Sequence, residues 1–121
     1  MNQVNGGTRT MACPEGRDPT VWTPQLLRAR RRERRSNMQA AYVAELCIKL
    51  HRLGVLVSIE NPVPSHLWVC ESFTKLREVL GQNFQEVTFH QCAYGLSLPG
   101  AGRHEFCRKT THIWSNFQRS N

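Results

Sequence analysis

The 121 residues, 40% of them hydrophobic, are enough for one small domain with a modest core and exclude two. Sixteen Lys and Arg against nine Asp and Glu give a formal net charge of +7 and a pI near 9.7. Most of the cations are arginine, a bias toward planar, bidentate partners such as phosphate, and no apolar run approaches the roughly 18 residues needed to cross a bilayer, so no membrane is expected.

The five cysteines, Cys13, Cys47, Cys70, Cys92 and Cys107, are odd in number and form no C-x-x-C pair, and no charged-then-apolar signal segment opens the sequence. An intracellular, reduced protein is expected, nuclear if the source is eukaryotic. Residues 1–22 are rich in Gly and Pro and poor in apolar side chains, which predicts a disordered or extended lead-in. The folded domain is expected over residues 23–121.

Thr23-Pro24 reads as an N-cap followed by proline at the first helical position. From Gln25 to Leu53 there is no glycine or proline, and Gly54 stands where a C-terminal cap belongs, so one long helix is predicted. Six arginines (Arg28, Arg30, Arg31, Arg32, Arg34, Arg35) crowd its first half and surround it. Met38, Tyr42, Leu46, Leu50 and Leu53 follow helical spacing in the second half and are predicted to pack.

Val55-Leu56-Val57-Ser58-Ile59 reads as a short strand buried on both faces, which is the pattern of a parallel sheet, and it stops at Glu60-Asn61-Pro62. Ser65 to Val69 forms one turn, and Ser72 caps a second helix that runs to Gly81. Glu86 to Gln91 and Thr110 to Trp114 are the remaining strand candidates, with a Pro/Gly loop over Leu96 to Gly102. The order helix, strand, helix, strand, strand is the later portion of an α/β sheet.

A carboxyl group leaving the end of a parallel strand lies where open α/β sheets place their chemistry. Glu60 there can exchange a proton with a ring nitrogen, with Asn61 holding its orientation and Pro62 restraining Asn61 to an extended conformation. The plainer alternative is that Glu60 caps the Ser65 turn or pairs with an arginine.

The block Ser58-Ile59-Glu60-Asn61-Pro62, with Ser65 and Leu67-Trp68, resembles the Glu-Asn-Val/Pro block of DNA (cytosine-5) methyltransferases and their divergent phage, algal and retroelement-associated relatives. Tyr94-Gly95 followed by Arg108-Lys109, Thr110 and later Ser115-Asn116 is similar to the family's Tyr-Gly-then-basic-pair block. The resemblance covers about residues 23 to 117 and implies a partial Rossmann-like methyltransferase sheet preceded by a long helix. It implies methyl transfer from S-adenosylmethionine to C5 of a flipped-out cytosine, with a cysteine thiolate attacking C6. Glu60 matches the glutamate that protonates N3, which the chemistry needs because attack on the ring succeeds only if the developing negative charge is neutralised. Arg108 is the nearest match to the residue that steadies the base carbonyl, followed by Lys109.

The departures are equally specific. The family's nucleophile sits in a Pro-Cys block upstream of the glutamate, whereas Cys13 precedes a proline and Cys47 lies in the predicted helix. Asn5-Gly6-Gly7 stands too early to follow a first strand as the glycine-rich cofactor loop does. The sequence therefore reads as the later part of a methyltransferase-like domain, inactive alone, for which a separate catalytic half would have to supply the thiolate and cofactor pocket.

Two other features bear on partners. His90-x-Cys92 and His104-x-x-Cys107 fit no common zinc spacing, so no metal is expected. The arginine run supports phosphate contact, a nuclear import signal or plain solvation, and the alternative reading of the whole chain is a noncatalytic module binding DNA or another nucleic acid through those side chains. Trp68 and Trp114 are able either to stack on a base or to sit in the core.

Overall fold

The computed structural model describes residues 7–91 and 110–117. Helix α1 spans Pro24–Arg52, with the Thr23 hydroxyl accepting from the Leu26 N–H and Gly54 taking a φ of 79° just past the end. Both ends fall where the sequence punctuates them. Strand β1 is Ser58–Pro62, followed by a 3-10 turn over His66–Val69 capped by Ser65. Helix α2 is Glu71–Leu80, strand β2 is Gln85–His90 and strand β3 is Thr110–Ser115.

The sheet has the order β1-β3-β2, and β3 is antiparallel to both neighbours. The described part of the fold is thus mixed α/β, and no two neighbouring strands in it are parallel. Since β3 opposes both edges, β1 and β2 run in the same direction, and α2 carries the chain across from one to the other.

The first strand corrects the reading from hydrophobicity. Residues 55–57 are not in the sheet; Val55 and Leu56 are exposed, and the strand begins at Ser58 and contains Glu60, Asn61 and Pro62. The cause is Asn116, just past β3. Its Oδ1 accepts from the Val57 N–H at 2.8 Å, and its Nδ2 donates to the Val55 carbonyl at 3.0 Å. That clasp uses residues 55–57 as a link and sets the strand three residues later. Proline is tolerated because, among the described residues, β1 is an edge strand paired with β3 alone.

The packing face of α1 is a second correction. Met38, Tyr42, Leu46 and Leu53 face solvent, with exposures of 74%, 67%, 41% and 78%. The buried positions of the second half are Ala40, Ala44, Cys47 and Ile48. Small side chains let the backbone of α1 approach α2, whose Phe73, Leu76 and Leu80 fill the space. Larger residues on that side would hold the helices apart, so the bulky row is turned outward.

Trp114 closes the core from the sheet side, with ring centroids 4.8 Å from Trp68, 5.9 Å from Phe73 and 5.0 Å from Phe84. Ile59 lies opposite Trp114 in the register and packs against the same cluster. Phe73 is fully buried, and shielding such a side chain contributes roughly 1.5–3 kcal/mol. Of the two roles open to the tryptophans, both take the structural one.

Residues 7–22 contain no helix or strand and are pinned along α1. Glu33, buried within the arginine run, accepts from the Thr8 hydroxyl at 2.8 Å and from its N–H. The buried Arg9 guanidinium donates to the Glu33 carbonyl and to Asn37 Oδ1. Burial pulls the Arg9 pKa down from its ordinary value, with the nearby Glu33 charge acting in the opposite direction. Gly16 makes the close turn possible: its φ is 82°, and a Cβ there would lie 2.5 Å from Thr8 Oγ1.

The lead-in also supplies a cap. Ser72 does not cap α2; Cys70 is the N-cap and offers no side-chain bond. Glu15 Oε1 accepts from the Glu71 N–H at 2.7 Å instead, a carboxylate brought from far upstream to the positive end of the helix.

Candidate functional site

The arginines divide into two groups. Arg30 Nε and Arg34 Nη2 both donate to Asp18 Oδ1, at 2.9 and 2.7 Å, and Arg30 also donates to the Glu15 carbonyl. These two hold the lead-in. The other four, Arg28, Arg31, Arg32 and Arg35, are exposed. Their spacing of three, four and seven residues puts them on one face of the helix. The six arginines do surround the helix; what their spacing does not disclose is that the two lying off this face, Arg30 and Arg34, are paired with Asp18, which leaves the four without an ion pair among the described residues on one side.

Asp18 holds the two arginines that lie off that face. Hydrogen bonding from Arg30, followed by the nearby charge of Arg34, holds its carboxyl below the ordinary value of 3.8. A depressed carboxylate pKa contributes stability above the unfolded value, lost as pH falls from 3.8 through the lower folded value, so the pairing fails only in acid. Asp18→Asn should break it at neutral pH and add Arg30 and Arg34 to the cationic surface. The expected result is a rise of about 3- to 10-fold in affinity for a polyanion at low salt. An unchanged or lower affinity in a salt titration would show that the paired arginines do not reach the ligand when released.

Glu60 and Asn61 lie within β1, not in a loop beyond it, because the strand starts later than its hydrophobic run. The register sets Glu60 opposite Ile113 and Asn61 opposite His112. Both residues line a cleft of about 310 Å³ between β1 and α1, into which Ser36 and Gln39 also contribute. Asn61 Nδ2 donates to Ser65 Oγ at 2.8 Å, Ser65 Oγ accepts from the Leu67 N–H, and Trp68 Nε1 donates to the Pro62 carbonyl at 2.9 Å. Asn61 thus stiffens the turn after β1. Ser65 caps that turn itself, so Glu60 is not needed as its cap.

Arg108 and Lys109, with Tyr94 and Gly95, lie outside the described residues, as do Cys92, His104 and Cys107. His90 Nδ1 is 2.8 Å from Thr110 Oγ1 across the sheet. Among the described residues no group of His, Cys, Asp or Glu is arranged to hold a metal ion. Cys47 is buried in α1, and burial pushes its thiol above the ordinary value, the reverse of what a nucleophile requires. Cys13 Sγ lies 3.3 Å from the Gly16 carbonyl in the lead-in turn. Among the described residues no helix is long and apolar enough to cross a membrane.

No protein-family model, no curated protein and no solved structure matches this chain.

The roles of three residues that organise the site escape the sequence reading, which names Asn116 only within the later basic block. Asp18 is the single aspartate in the chain, and that rarity beside an arginine run is a usable signal. Glu15 and Asn116 act through contacts distant in sequence, and nothing in their neighbourhood announces them.

Proposed function

We propose that this chain is a noncatalytic nucleic-acid-binding module that contacts phosphates through the outer face of α1. The observation that carries the reading is that Arg28, Arg31, Arg32 and Arg35 are exposed on one face of α1 with no ion pair among the described residues, while Arg30 and Arg34, off that face, are paired with Asp18. A row of guanidiniums on a rigid helix suits phosphate oxygens at successive positions along a strand. A net charge of +7 adds long-range attraction to any polyanion. Such a partner implies an intracellular site, and a nuclear one in a eukaryote if the partner is DNA.

A second reading, compatible with the first, is favoured by a different observation. The strands β1 and β2 run in the same direction with α2 as the crossover, and Glu60 and Asn61 sit on β1 beside a cleft. That arrangement fits the later part of a methyltransferase-like α/β domain, as the Glu-Asn-Pro block suggests. In that setting Glu60 is the proton donor to N3 of cytosine, with Arg108 and Lys109 at the base carbonyl. S-adenosylmethionine and the thiolate would come from a separate catalytic half.

Calorimetric titration tests the two together. A folded sample should show saturable heat with an oligonucleotide and none with S-adenosylmethionine. Saturable micromolar binding of the cofactor would establish a pocket in this chain and replace the binding module with an independent transferase. Failure to bind the oligonucleotide at low salt would remove the proposed function.

A further inference from the structure

The arginine face does not end at Arg35. Met38, Gln39, Tyr42 and Leu46 continue the same helical row, four residues apart or nearly so, and Met38 and Tyr42 are among the most exposed large side chains described. Arg35, Met38, Gln39, Tyr42 and Val43 line a groove of about 510 Å³ along this outer side of α1. A guanidinium, an amide and an aromatic ring thus meet in one open groove, directly after three further arginines.

We infer that the outer face of α1 binds single-stranded nucleic acid in preference to duplex, with phosphates on the arginine half and an unpaired base stacked on Tyr42. The inference rests on the nucleic-acid reading above and deepens it. Arginines alone do not distinguish strand types, since both present phosphates. The apolar half does, because a base in a duplex is covered by its neighbours, whereas an unpaired base offers its face to an aromatic ring. Gln39 beside Tyr42 supplies a donor and an acceptor for the edge of a splayed base.

Charge selects the partner. The groove adjoins Arg28, Arg31, Arg32 and Arg35, so its occupant must be anionic at one end and apolar or aromatic at the other. A second copy of this chain presents the same cations and does not meet that requirement. A lipid surface meets it less well than a splayed strand does. The exposed apolar side chains of this face, Met38, Tyr42, Val43 and Leu46, are interrupted by Gln39 and bordered by Glu45, an amide and a carboxylate that insertion among acyl chains would have to desolvate.

Fluorescence anisotropy would compare an oligothymidine of about 16 nucleotides with a duplex of equal length and with vesicles containing phosphatidylserine. The full chain should bind the single strand about 10-fold more tightly than the duplex. Tyr42→Ala should remove that preference and leave the weaker duplex affinity unchanged, while Tyr42→Phe should keep it, since stacking needs only the ring. Tyr42 is 67% exposed, so neither change threatens the fold. Equal affinity for both strand types, unaltered by Tyr42→Ala, would overturn this inference and leave phosphate binding by the arginines in place. Binding to vesicles but to neither oligonucleotide would assign the face to an anionic lipid surface and overturn the inference together with the reading beneath it.

Discussion

Replacing Arg28, Arg31, Arg32 and Arg35 together by Gln is expected to lower affinity for nucleic acid by roughly 100-fold or more near physiological salt. The same change should flatten the dependence of log affinity on log salt by about 3, since four phosphate contacts contribute a slope of about −0.7 each on a single strand. Arg30→Gln with Arg34→Gln is the control. Those two side chains are held by Asp18, so removing them should loosen the lead-in while leaving affinity within about 3-fold of the parent. The pairing of variants separates a binding face from mere net charge. If the two sets weaken binding in proportion to the charges removed, attraction is diffuse and α1 has no dedicated face. All four positions are exposed and Gln is nearly as good a helix former as Arg, so circular dichroism should show α1 intact.

How far the sequence discloses this arrangement depends on the range of the interactions involved. The ends of α1 are written in Thr23-Pro24 and Gly54 because caps are local. The crossover α2 and the strands near residues 85–90 and 110–115 follow from hydrophobic runs ended by turn residues, and they fall within a residue or two of their expected bounds. The buried side of α1 is different. Met38, Tyr42 and Leu46 carry the stronger hydrophobic period, yet close contact with α2 favours Ala40 and Ala44, and only the partner helix decides which row turns inward. Strand β1 is displaced for the same reason, since Asn116 lies beyond β3 and nothing local to residues 55–57 reveals that it will claim them. The site divides along the same line. Glu60 and Asn61 are conspicuous in sequence and prove to be neighbours on β1. The engagement of Arg30 and Arg34 rests on Asp18 and Glu15, contacts made by a lead-in whose composition suggests no structure at all.

Asn116→Ala should cost about 2–4 kcal/mol, because it removes the side-chain bonds that hold the α1-to-β1 link on the end of the sheet. The side chain is only 5% exposed and leaves neither of its ends idle: Oδ1 accepts from the Val57 N–H, while Nδ2 donates to the Val55 carbonyl and lies 3.0 Å from His51 Nδ1. Truncation leaves these groups to find water in a space the asparagine had filled. For a domain of this size the loss corresponds to a fall of roughly 10–20 °C in Tm. Asn116→Asp is the sharper probe. It preserves volume and the acceptor toward Val57 but turns the donor end into an oxygen facing the Val55 carbonyl, so it should be nearly as damaging as alanine. Amide exchange would locate the effect, with protection lost first at Val57 and Ser58 and retained in α2. A Tm within about 2 °C of the parent for both variants would mean that β1 is placed by its own packing, with Ile59 against Trp114 sufficient to set the register. If instead the losses are as large as expected, the position of β1, and with it the cleft that brings Glu60 and Asn61 beside α1, depends on a residue lying past the final strand.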